Sequence, residues 1–330
     1  YTHSGGGFVP SAIRLPVDRH HCTAADVNLD GRMDSFCSVG AARGTSTGEN
    51  NLYLQQADGS FSDVAAQYGV IDRYGRGRWA SFLNANGDAY PDLFVGNSAE
   101  RADDHISSNR LFINDRGKAF LDGESFGITL PIGSHCSVVT DFNTDGLDDL
   151  LLCSKQGLKL YINNNGTHFE DATARINGDR HFPRALLADI NGDEVPDLVT
   201  LRADRLAVRY RQGNRFAKAG FTMPLATGMD VAAADADGDG DTDLFVVQFG
   251  CTENEKGPSE LLDTRDDFLL INDGRGQLTP VSASHLRPAQ GCGGQVMPIE
   301  YDGDGLSGFL SLNGKARSTG PLQLVQLVEQ

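Results

Sequence analysis

One nine-residue pattern recurs six times along this 330-residue chain and constrains its fold more than any other feature. Its clearest copy, residues 235–243, reads Asp-Ala-Asp-Gly-Asp-Gly-Asp-Thr-Asp, with carboxylates at positions 1, 3, 5 and 9 and glycine at position 6. This spacing lets a tight loop turn several oxygens onto one hard cation, as calcium loops do. The pattern therefore predicts a Ca²⁺-binding loop.

Short apolar segments flank this loop and predict its setting. Residues 231–234 read Val-Ala-Ala-Ala and residues 244–247 read Leu-Phe-Val-Val. Short, partly β-branched runs on both sides of a turn favour antiparallel strands over helices. We therefore expect the metal to lie in the turn of a β-hairpin.

The recurrence of the loop predicts the architecture. The copies occupy residues 26–34, 84–92, 141–149, 189–197, 235–243 and, in degenerate form, 300–308. Successive copies are separated by roughly the length of a four-stranded propeller blade with variable loops. We predict an all-β fold in which residues 1–330 form a single β-propeller domain of four-stranded antiparallel blades. Six blades fit the pattern best, with seven as the alternative.

The two ends of the chain do not supply a complete blade of their own. After the sixth loop, residues 309–313 and 322–328 read as strands, and residues 7–15 precede the first repeat without a loop. Joining both ends in one sheet would leave no open edge. We therefore expect the N-terminal segment to close the ring as the outer strand of the sixth blade.

The net charge of −17 argues against some partners. Much of the acidity lies in the loops, where bound Ca²⁺ would offset it, and no basic patch with interleaved aromatic residues is visible. No apolar run approaches the roughly 18–20 residues of a membrane span. We predict no nucleic-acid partner and no membrane insertion.

Four of the six cysteines occupy matching positions around two of the loops. Cys22 and Cys37 flank the first loop, and Cys136 and Cys153 flank the third in the same hairpin register. The shared register favours two cross-strand disulfides, with buried free thiols as the alternative.

The remaining cysteines and a sequon bear on the compartment. Cys251 follows the fifth loop and Cys292 precedes the sixth, so a disulfide between them would tie adjacent blades together. Asn165-Gly166-Thr167 is an N-glycosylation sequon. Together with the disulfides, the sequon predicts a secreted, extracellular glycoprotein, with the periplasm as the other oxidising compartment.

The repeats resemble a known family. Loops followed by an apolar strand, with residues 61–70 leading to Gly75-Arg-Gly77, resemble the FG-GAP or VCBS repeats of integrin α-subunit heads and of cartilage acidic protein-like secreted propellers. In that family the side chains at loop positions 1, 3, 5 and 9 and the carbonyl at position 7 bind Ca²⁺. The resemblance implies four to five Ca²⁺ ions, or six if the degenerate loop also binds.

Carried over residue by residue, the resemblance implies a ligand set in five loops. The second loop has Asn84 at position 1 and Ala89 at position 6, so we expect weaker binding there, and the sixth has Gly308 at position 9 and is left out. The implied ligands are Asp26, Asn28, Asp30, Arg32, Asp34, Asn84, Asn86, Asp88, Tyr90, Asp92, Asp141, Asn143, Asp145, Leu147, Asp149, Asp189, Asn191, Asp193, Val195, Asp197, Asp235, Asp237, Asp239, Asp241 and Asp243.

Polar residues near the start of each predicted first strand form a second candidate site. In a propeller these strands line the central channel and start at the face opposite the loops, so the residues are expected to converge. Histidine, arginine and an aromatic face suit a sugar or an anionic glycan, although such residues also occur simply as solvent-facing side chains. The candidates are His20, His21, Arg78, Trp79, His135, His181 and Arg184, with Asp230 and Gln295 beside them.

These observations favour a secreted calcium-binding propeller that acts in adhesion, binding a protein or glycan through the face opposite the loops. The calcium loops are interpreted as structural, because loops of this type hold a hairpin in shape. A polysaccharide lyase on the same scaffold is the alternative, since histidine near neutral pKa suits acid–base chemistry. A scaffold fragment of a larger receptor is a third hypothesis.

Overall fold

The chain forms two compact units, each of which is described by itself. The first is Pro10–Pro183, and the second combines Tyr1–Val9 with Arg184–Gln330. The computed structural model describes residues 2–4, 7–9, 18–103, 105–154, 156–176, 184–218, 220–248, 267–281, 286–287, 293–299, 308–313 and 322–327.

The first unit contains three four-stranded antiparallel sheets, which we call blades 1, 2 and 3. In each blade the strands lie side by side in chain order, and we call them first to fourth. Blade 1 consists of Arg19–Ala25, Asp34–Val39, Asn51–Gln55 and Phe61–Asp63. Blade 2 consists of Gly77–Leu83, Asp92–Asn97, Arg110–Asn114 and Phe120–Asp122. Blade 3 consists of Ser134–Thr140, Asp149–Ser154, Gly157–Asn164 and His168–Asp171.

The second unit contains three further sheets of the same kind, blades 4, 5 and 6. Blade 4 consists of Arg184–Ala188, Asp197–Arg202, Arg205–Arg209 and Thr222–Pro224. Blade 5 consists of Gly228–Ala234, Asp243–Gln248, Phe268–Ile271 and Thr279–Pro280. Blade 6 consists of Gly293–Ile299, Gly308–Asn313, Leu322–Leu327 and, as its outer strand, Leu286–Arg287. A small hairpin, Arg211–Gln212 with Arg215–Phe216, extends from blade 4.

Helices in the described part of the chain are short connectors. One α-helical turn, Ala65–Tyr68, follows blade 1, and 3-10 turns occur at Ala41–Gly44, Glu124–Phe126 and Thr173–Arg175. None of the described helices has the length and apolar character needed to cross a membrane.

The core of each unit lies between neighbouring blades. The second strands are the most buried elements, and Asp92–Asn97 is buried at every residue. Because successive strand residues point to opposite faces, Leu93 and Val95 pack in the cluster shared with blade 1, while Phe94 packs in the cluster shared with blade 3. Burial on both faces explains why these strands read as continuous apolar runs rather than as alternating patterns.

Six four-stranded antiparallel blades confirm the predicted all-β propeller class and blade number. From the sequence we expect the first two strands at residues 78–83 and 93–97 in blade 2 and at residues 136–140 and 150–154 in blade 3, and the observed ends lie within about two residues of these. That residues 1–330 form one domain stays a prediction.

The predicted N-terminal closing strand is wrong. Gly7–Val9 pairs with Thr2–Ser4 in a two-stranded sheet of its own, and the outer strand of blade 6 is Leu286–Arg287. Ser4 and Gly7 are the last paired residues of this hairpin, and the two residues that separate them are both glycine. A Gly-Gly sequence at this position is typical of two-residue hairpin loops, which agrees with the pairing of the segment with itself.

Both predicted cross-strand disulfides are present. Cys22 pairs directly with Cys37, and Cys136 with Cys153, with Cα–Cα distances of 4.1 and 4.9 Å. Cys251, Cys292 and residues 300–307 of the sixth loop lie outside the described residues.

Candidate functional sites at the two ends of the first strands

Each first strand places a different kind of site at each of its ends. Ser134–Thr140, for example, runs directly into the third loop at residue 141 and begins seven residues earlier at a β-bulge. At about 3.3 Å per residue the two ends are about 20 Å apart. We call them the loop end and the bulge end of a blade.

The five described loops share one hydrogen-bonding scheme. In the fifth loop the Asp235 carboxylate accepts the N–H groups of Gly238 and Gly240, with N···O distances of 2.7 and 3.0 Å. Asp239 accepts the N–H of Asp241 at 2.9 Å. Position 5 accepts the N–H of position 7 in the other four loops as well. Side chains that fold back on their own backbone turn the loop oxygens inward.

The aspartate at position 9 anchors each loop to the core. Asp34, Asp92, Asp149, Asp197 and Asp243 are fully buried. One oxygen of each accepts the N–H of position 2, and the other accepts an N–H at the end of the third strand. Each carboxylate oxygen has two lone pairs, so these bonds leave capacity for a cation. Burial raises the pKa of Asp92, Asp149 and Asp243 to about 6.

A buried asparagine at the end of the third strand ties neighbouring loops together. In blade 3 the Nδ2 of Asn163 donates to the carbonyl oxygens of Ala85 in the second loop, at 2.9 Å, and Asp148 in the third, at 3.3 Å. Asn114 makes the same pair of bonds between the first and second loops, and Asn272 between the fourth and fifth. The fixed geometry of one loop is thereby linked to the next.

Close approach of backbone explains two glycines in these turns. Gly117 and Gly166 follow the linking asparagines at φ of 72° and 67°. A Cβ atom on Gly117 would lie 2.7 Å from the Cα of Asn28, and one on Gly166 would lie 2.7 Å from the carbonyl oxygen of Asn86. The turns therefore pack directly on position 3 of the preceding loop, at a distance that only glycine permits.

The donor sets of the loops fit calcium. Carboxylate oxygens of Asp235, Asp237 and Asp239 lie within 4.8 Å of one another in the fifth loop. The other four described loops carry an asparagine oxygen in place of the carboxylate at position 3. Carboxylate, amide and carbonyl oxygens from one short loop are the ligands that Ca²⁺ prefers. The assignment of individual ligands stays a prediction.

A β-bulge recurs at the start of the first strand. In blades 1, 2, 3, 5 and 6 one residue is skipped in the pairing with the second strand. The skipped residues in the first unit are His20, Arg78 and His135, all predicted site residues. Bulges re-aim side chains and are frequent beside functional sites. The three residues predicted from the sequence therefore occupy structurally equivalent positions in blades 1, 2 and 3.

The first unit brings most of the predicted residues into adjacent strands. The first strand of blade 2 contacts those of blades 1 and 3. The rings of His21 and Trp79 stack with centroids 3.8 Å apart, and the Nδ1 of His21 accepts the N–H of Ala80 at 3.4 Å. An imidazole–indole pair thus lies across blades 1 and 2.

Sequence reasoning missed two charged residues at the bulge end. Asp18, two residues before His20, lies 3.4 Å from the imidazole Nε2 and accepts the N–H of Ala42 at 2.7 Å. Arg76 donates to the Ser98 hydroxyl at 3.2 Å. Arg76 lies in the Gly-Arg-Gly-Arg segment at residues 75–78, which is visible in the sequence. The role of Asp18 becomes visible only when the turn at residues 41–44 is folded beside it.

Arg101 holds the long loops beside the bulge end. Its side chain is only 1% exposed and donates to the carbonyl oxygens of Gly44, Ser46 and Tyr74 at 3.0–3.2 Å. A single guanidinium with five donors can cross-link three segments in this way. Arg101 therefore ties the loop between the second and third strands of blade 2 to the corresponding loop of blade 1.

In the second unit Arg184 belongs to an ion pair. Its Nε lies 3.8 Å from the Asp230 carboxylate, which also accepts the N–H of Val296 at 3.2 Å. Burial raises the pKa of Asp230, while the Arg184 charge opposes that shift. Arg184 thus connects blades 4 and 5, and Asp230 connects blade 5 to blade 6. His181 lies outside the described residues.

Comparison with known families identifies the repeat. The family described as FG-GAP-like repeat matches residues 26–95, 141–200 and 189–246, which together cover more than half of the chain. Each matched region includes at least one of the loops and the strands around it.

Individual relatives agree with this match. Residues of this chain are 28% identical to cartilage acidic protein 1 from Xenopus tropicalis over 134 residues, 40% of this chain and 17% of that protein. An Agrocybe aegerita lectin, solved for its specific recognition of non-reducing terminal N-acetylglucosamine, has a similar fold with TM-score 0.52 and 19% identity over 81% of this chain and 66% of the lectin. BBS1N in complex with ARL6DN is similar with TM-score 0.52 and 10% identity over 94% of this chain and 79% of that chain.

Proposed function

Because this chain belongs to the FG-GAP-like repeat family, we propose that it is a secreted, calcium-stabilised adhesion propeller that binds a glycan or protein through its bulge end. The observation that carries this proposal is the recurring bulge, which gives His20, Arg78 and His135 equivalent positions in three adjacent blades. The stacked Trp79 beside them offers an aromatic surface of the kind that sugar sites use. Recognition of N-acetylglucosamine by the lectin of similar fold is compatible with a glycan ligand.

The loop end is better suited to structure than to recognition. Its loops are local hairpins whose carboxylates bond their own backbone, and the buried aspartates fix them to the core. The Asn165 side chain is exposed in the turn that packs on the second loop, so a glycan attached there would cover this end. Secretion is supported by the two disulfides and by this exposed sequon.

A panel of immobilised neutral and acidic glycans, probed with the calcium-loaded protein, tests the proposal. Trp79→Ala and His135→Ala should each weaken the best binder by ~1–3 kcal/mol, measured by titration calorimetry, with unchanged calcium content. Lys118→Ala, at an exposed position on the loop end, is the control and should bind normally. Unchanged binding by both bulge-end variants would refute the location. Release of unsaturated products would show a lyase instead.

A further inference from the structure

Positive charge accumulates at the bulge end of blades 1 and 2 although the chain carries a net charge of −17. Arg76 leads into the first strand of blade 2, Arg78 is the bulged residue of that strand, and His20 is the bulged residue of the adjacent first strand. Three basic side chains from two neighbouring strands therefore share one small region.

The two arginines lack a counter-charge within the described part of the chain. Arg78 donates from Nη1 to the carbonyl oxygen of Gly77 at 2.8 Å, and no described carboxylate lies within ion-pair distance of it. Arg76 donates to the neutral oxygens of Ser98 and Glu100, and its buried Nε has no described partner. Guanidinium donors that find only neutral acceptors remain available to an anion.

Asp18 is the carboxylate that lies within this cluster, and it is already engaged. One of its oxygens accepts the N–H of Ala42 at 2.7 Å, and the other lies 3.4 Å from the His20 imidazole. It interacts with Arg78 only at longer range. One carboxylate therefore lies beside the His20 imidazole and at longer range from the Arg78 guanidinium.

The surroundings of these groups also shift their pKa values. Burial, followed by the charge of Arg76, lowers the pKa of Arg78 to about 10. Burial, followed by the charge of Arg78, lowers the pKa of His20, with Asp18 opposing. Both shifts mean that the folded protein disfavours further positive charge here, and a bound anion would reverse that balance.

We propose that Arg76, Arg78 and His20 form a binding site for an oxyanion, a sulfate or carboxylate group carried by an acidic glycan. This inference rests on the proposed function and adds the chemical class of the ligand. The planar guanidinium presents paired donors that match two oxygens of a carboxylate or sulfate. Trp79 follows Arg78 in the strand and stacks on His21, so an aromatic pair lies close in the chain to these residues for the sugar ring that carries the group.

Trp79 is the single tryptophan of the chain and reports directly on this region. The calcium-loaded protein is titrated with a heparin hexasaccharide, its desulfated and N-acetylated counterpart, and a neutral N-acetylglucosamine hexamer, and tryptophan fluorescence is recorded. We expect the sulfated hexasaccharide to bind more tightly than the neutral one, with affinity falling as salt rises. Retained binding of the desulfated sugar would identify carboxylate as the recognised group, whereas its loss would identify sulfate.

Matched variants locate the anion. Arg78→Gln should weaken the hexasaccharide at least about tenfold, roughly the loss of one charge-assisted hydrogen bond. Arg116→Gln, an exposed arginine on the loop end of blade 2, removes the same charge elsewhere and should have no effect. Equal binding of neutral and acidic sugars, unaffected by Arg78→Gln, would overturn this inference and leave the proposed function standing.

A ligand-independent measurement completes the test. Relative to their quenching of free N-acetyltryptophanamide, iodide should quench Trp79 fluorescence more efficiently than caesium, and the Arg76→Gln/Arg78→Gln double variant should lose that preference. Equal relative quenching by the two ions in the wild-type protein would overturn the inference. Iodide preference without binding of any glycan would retain the anion site and count against the glycan function.

Discussion

At the scale of single residues, the clearest structural contribution comes from buried amides that hold two loops at once. Asn163 is fully buried, and its Nδ2 satisfies the carbonyl of Ala85, which is itself fully buried. Asn163 also anchors the following turn, because its Oδ1 accepts the N–H of Gly166 at 3.1 Å. Loss of this one side chain would leave several buried polar groups without a hydrogen-bond partner.

Asn163→Ala should lower the free energy of unfolding by ~1–3 kcal/mol, because buried donors and acceptors lose their partners. Urea denaturation in excess calcium measures the change. Asn214→Ala, on an exposed hairpin turn, is the matched control and should stay within about 0.5 kcal/mol of the wild type. Equal stability of the two variants would contradict a linking role for Asn163.

Asp230 gives a pH-dependent prediction. Burial raises the pKa of Asp230 above its ordinary value of 3.8, so the folded protein favours the protonated carboxyl. The resulting stabilisation is fully present below pH 3.8 and is lost as the pH rises through the folded-state pKa. Asp230→Asn removes this titration and keeps an acceptor for the Val296 N–H. The melting temperature of the variant relative to the wild type should therefore increase with pH above 3.8. A difference that is constant with pH would contradict the burial effect.

Residue roles differ in how far the sequence predicts them. The predicted loop ligands at positions 1, 3 and 5 are recognisable because their spacing is local and the loop folds on itself. Asp18 is not recognisable, because its partner Ala42 lies 24 residues away in a turn with φ of 47°. The linking asparagine is visible only as a recurrent residue at the end of the third strand, since its function depends on the neighbouring blade.

At the scale of elements, each loop and its two flanking strands form a hairpin that a metal can stabilise. In the fifth loop three carboxylates converge within 4.8 Å, so their mutual repulsion opposes the fold until a cation binds. Other loops carry asparagine at position 3 with the same backbone bonds. Position 3 therefore tolerates loss of charge, whereas position 5 is aspartate in every described loop.

Asp239→Ala should reduce the number of bound Ca²⁺ ions by one, because it removes a carboxylate that faces the other two. Asp237→Asn should retain the ion with reduced affinity, since it recreates the ligand set of the neighbouring loops. Calcium content after dialysis, measured by atomic emission, distinguishes them. An unchanged ion count for Asp239→Ala would refute the fifth site.

The disulfides act on the same hairpins. Cys22–Cys37 closes a loop of 15 residues, for which loop-closure entropy predicts about 3 kcal/mol of stabilisation. The Cys22→Ala/Cys37→Ala double variant should lose about that amount in chemical denaturation. Insensitivity of the wild-type protein to a strong thiol reductant, combined with free thiols in mass mapping, would contradict the pairing.

Blade number and strand positions could be predicted because each blade repeats one hairpin signal. The outer strand of blade 6 could not, because Leu286–Arg287 is too short to carry a pattern, and the N-terminal strand forms its own hairpin around Gly-Gly. The bulges in the first strands have no sequence signature here, because the skipped residue differs in type between blades, for example His20 in blade 1 and Met229 in blade 5.

At the scale of the whole molecule, the acidic loops and the proposed recognition site lie at opposite ends of the first strands. Carboxylates gather at the loop end, whereas arginine and histidine gather at the bulge end of blades 1 and 2. Calcium would neutralise the first group and leave the second as the site of recognition. A chain with net charge −17 can in this way bind an acidic ligand.

Calcium removal should destabilise the protein as a whole. An ion that binds only the folded state adds stability that grows with its free concentration, so EDTA should lower the melting temperature and added Ca²⁺ should restore it. Mg²⁺ at equal concentration should restore less, because it prefers smaller octahedral sites. An identical melting temperature with and without chelator would contradict the calcium assignment.

Hydrogen–deuterium exchange tests the central claim most directly, namely that recognition occurs at the bulge end and not at the calcium loops. The calcium-loaded protein is compared with and without the glycan that binds best in the panel. We predict slower exchange around residues 18–21, 76–80 and 134–136, with the loops at 26–34, 84–92 and 141–149 unchanged. Protection confined to the loops would contradict the account.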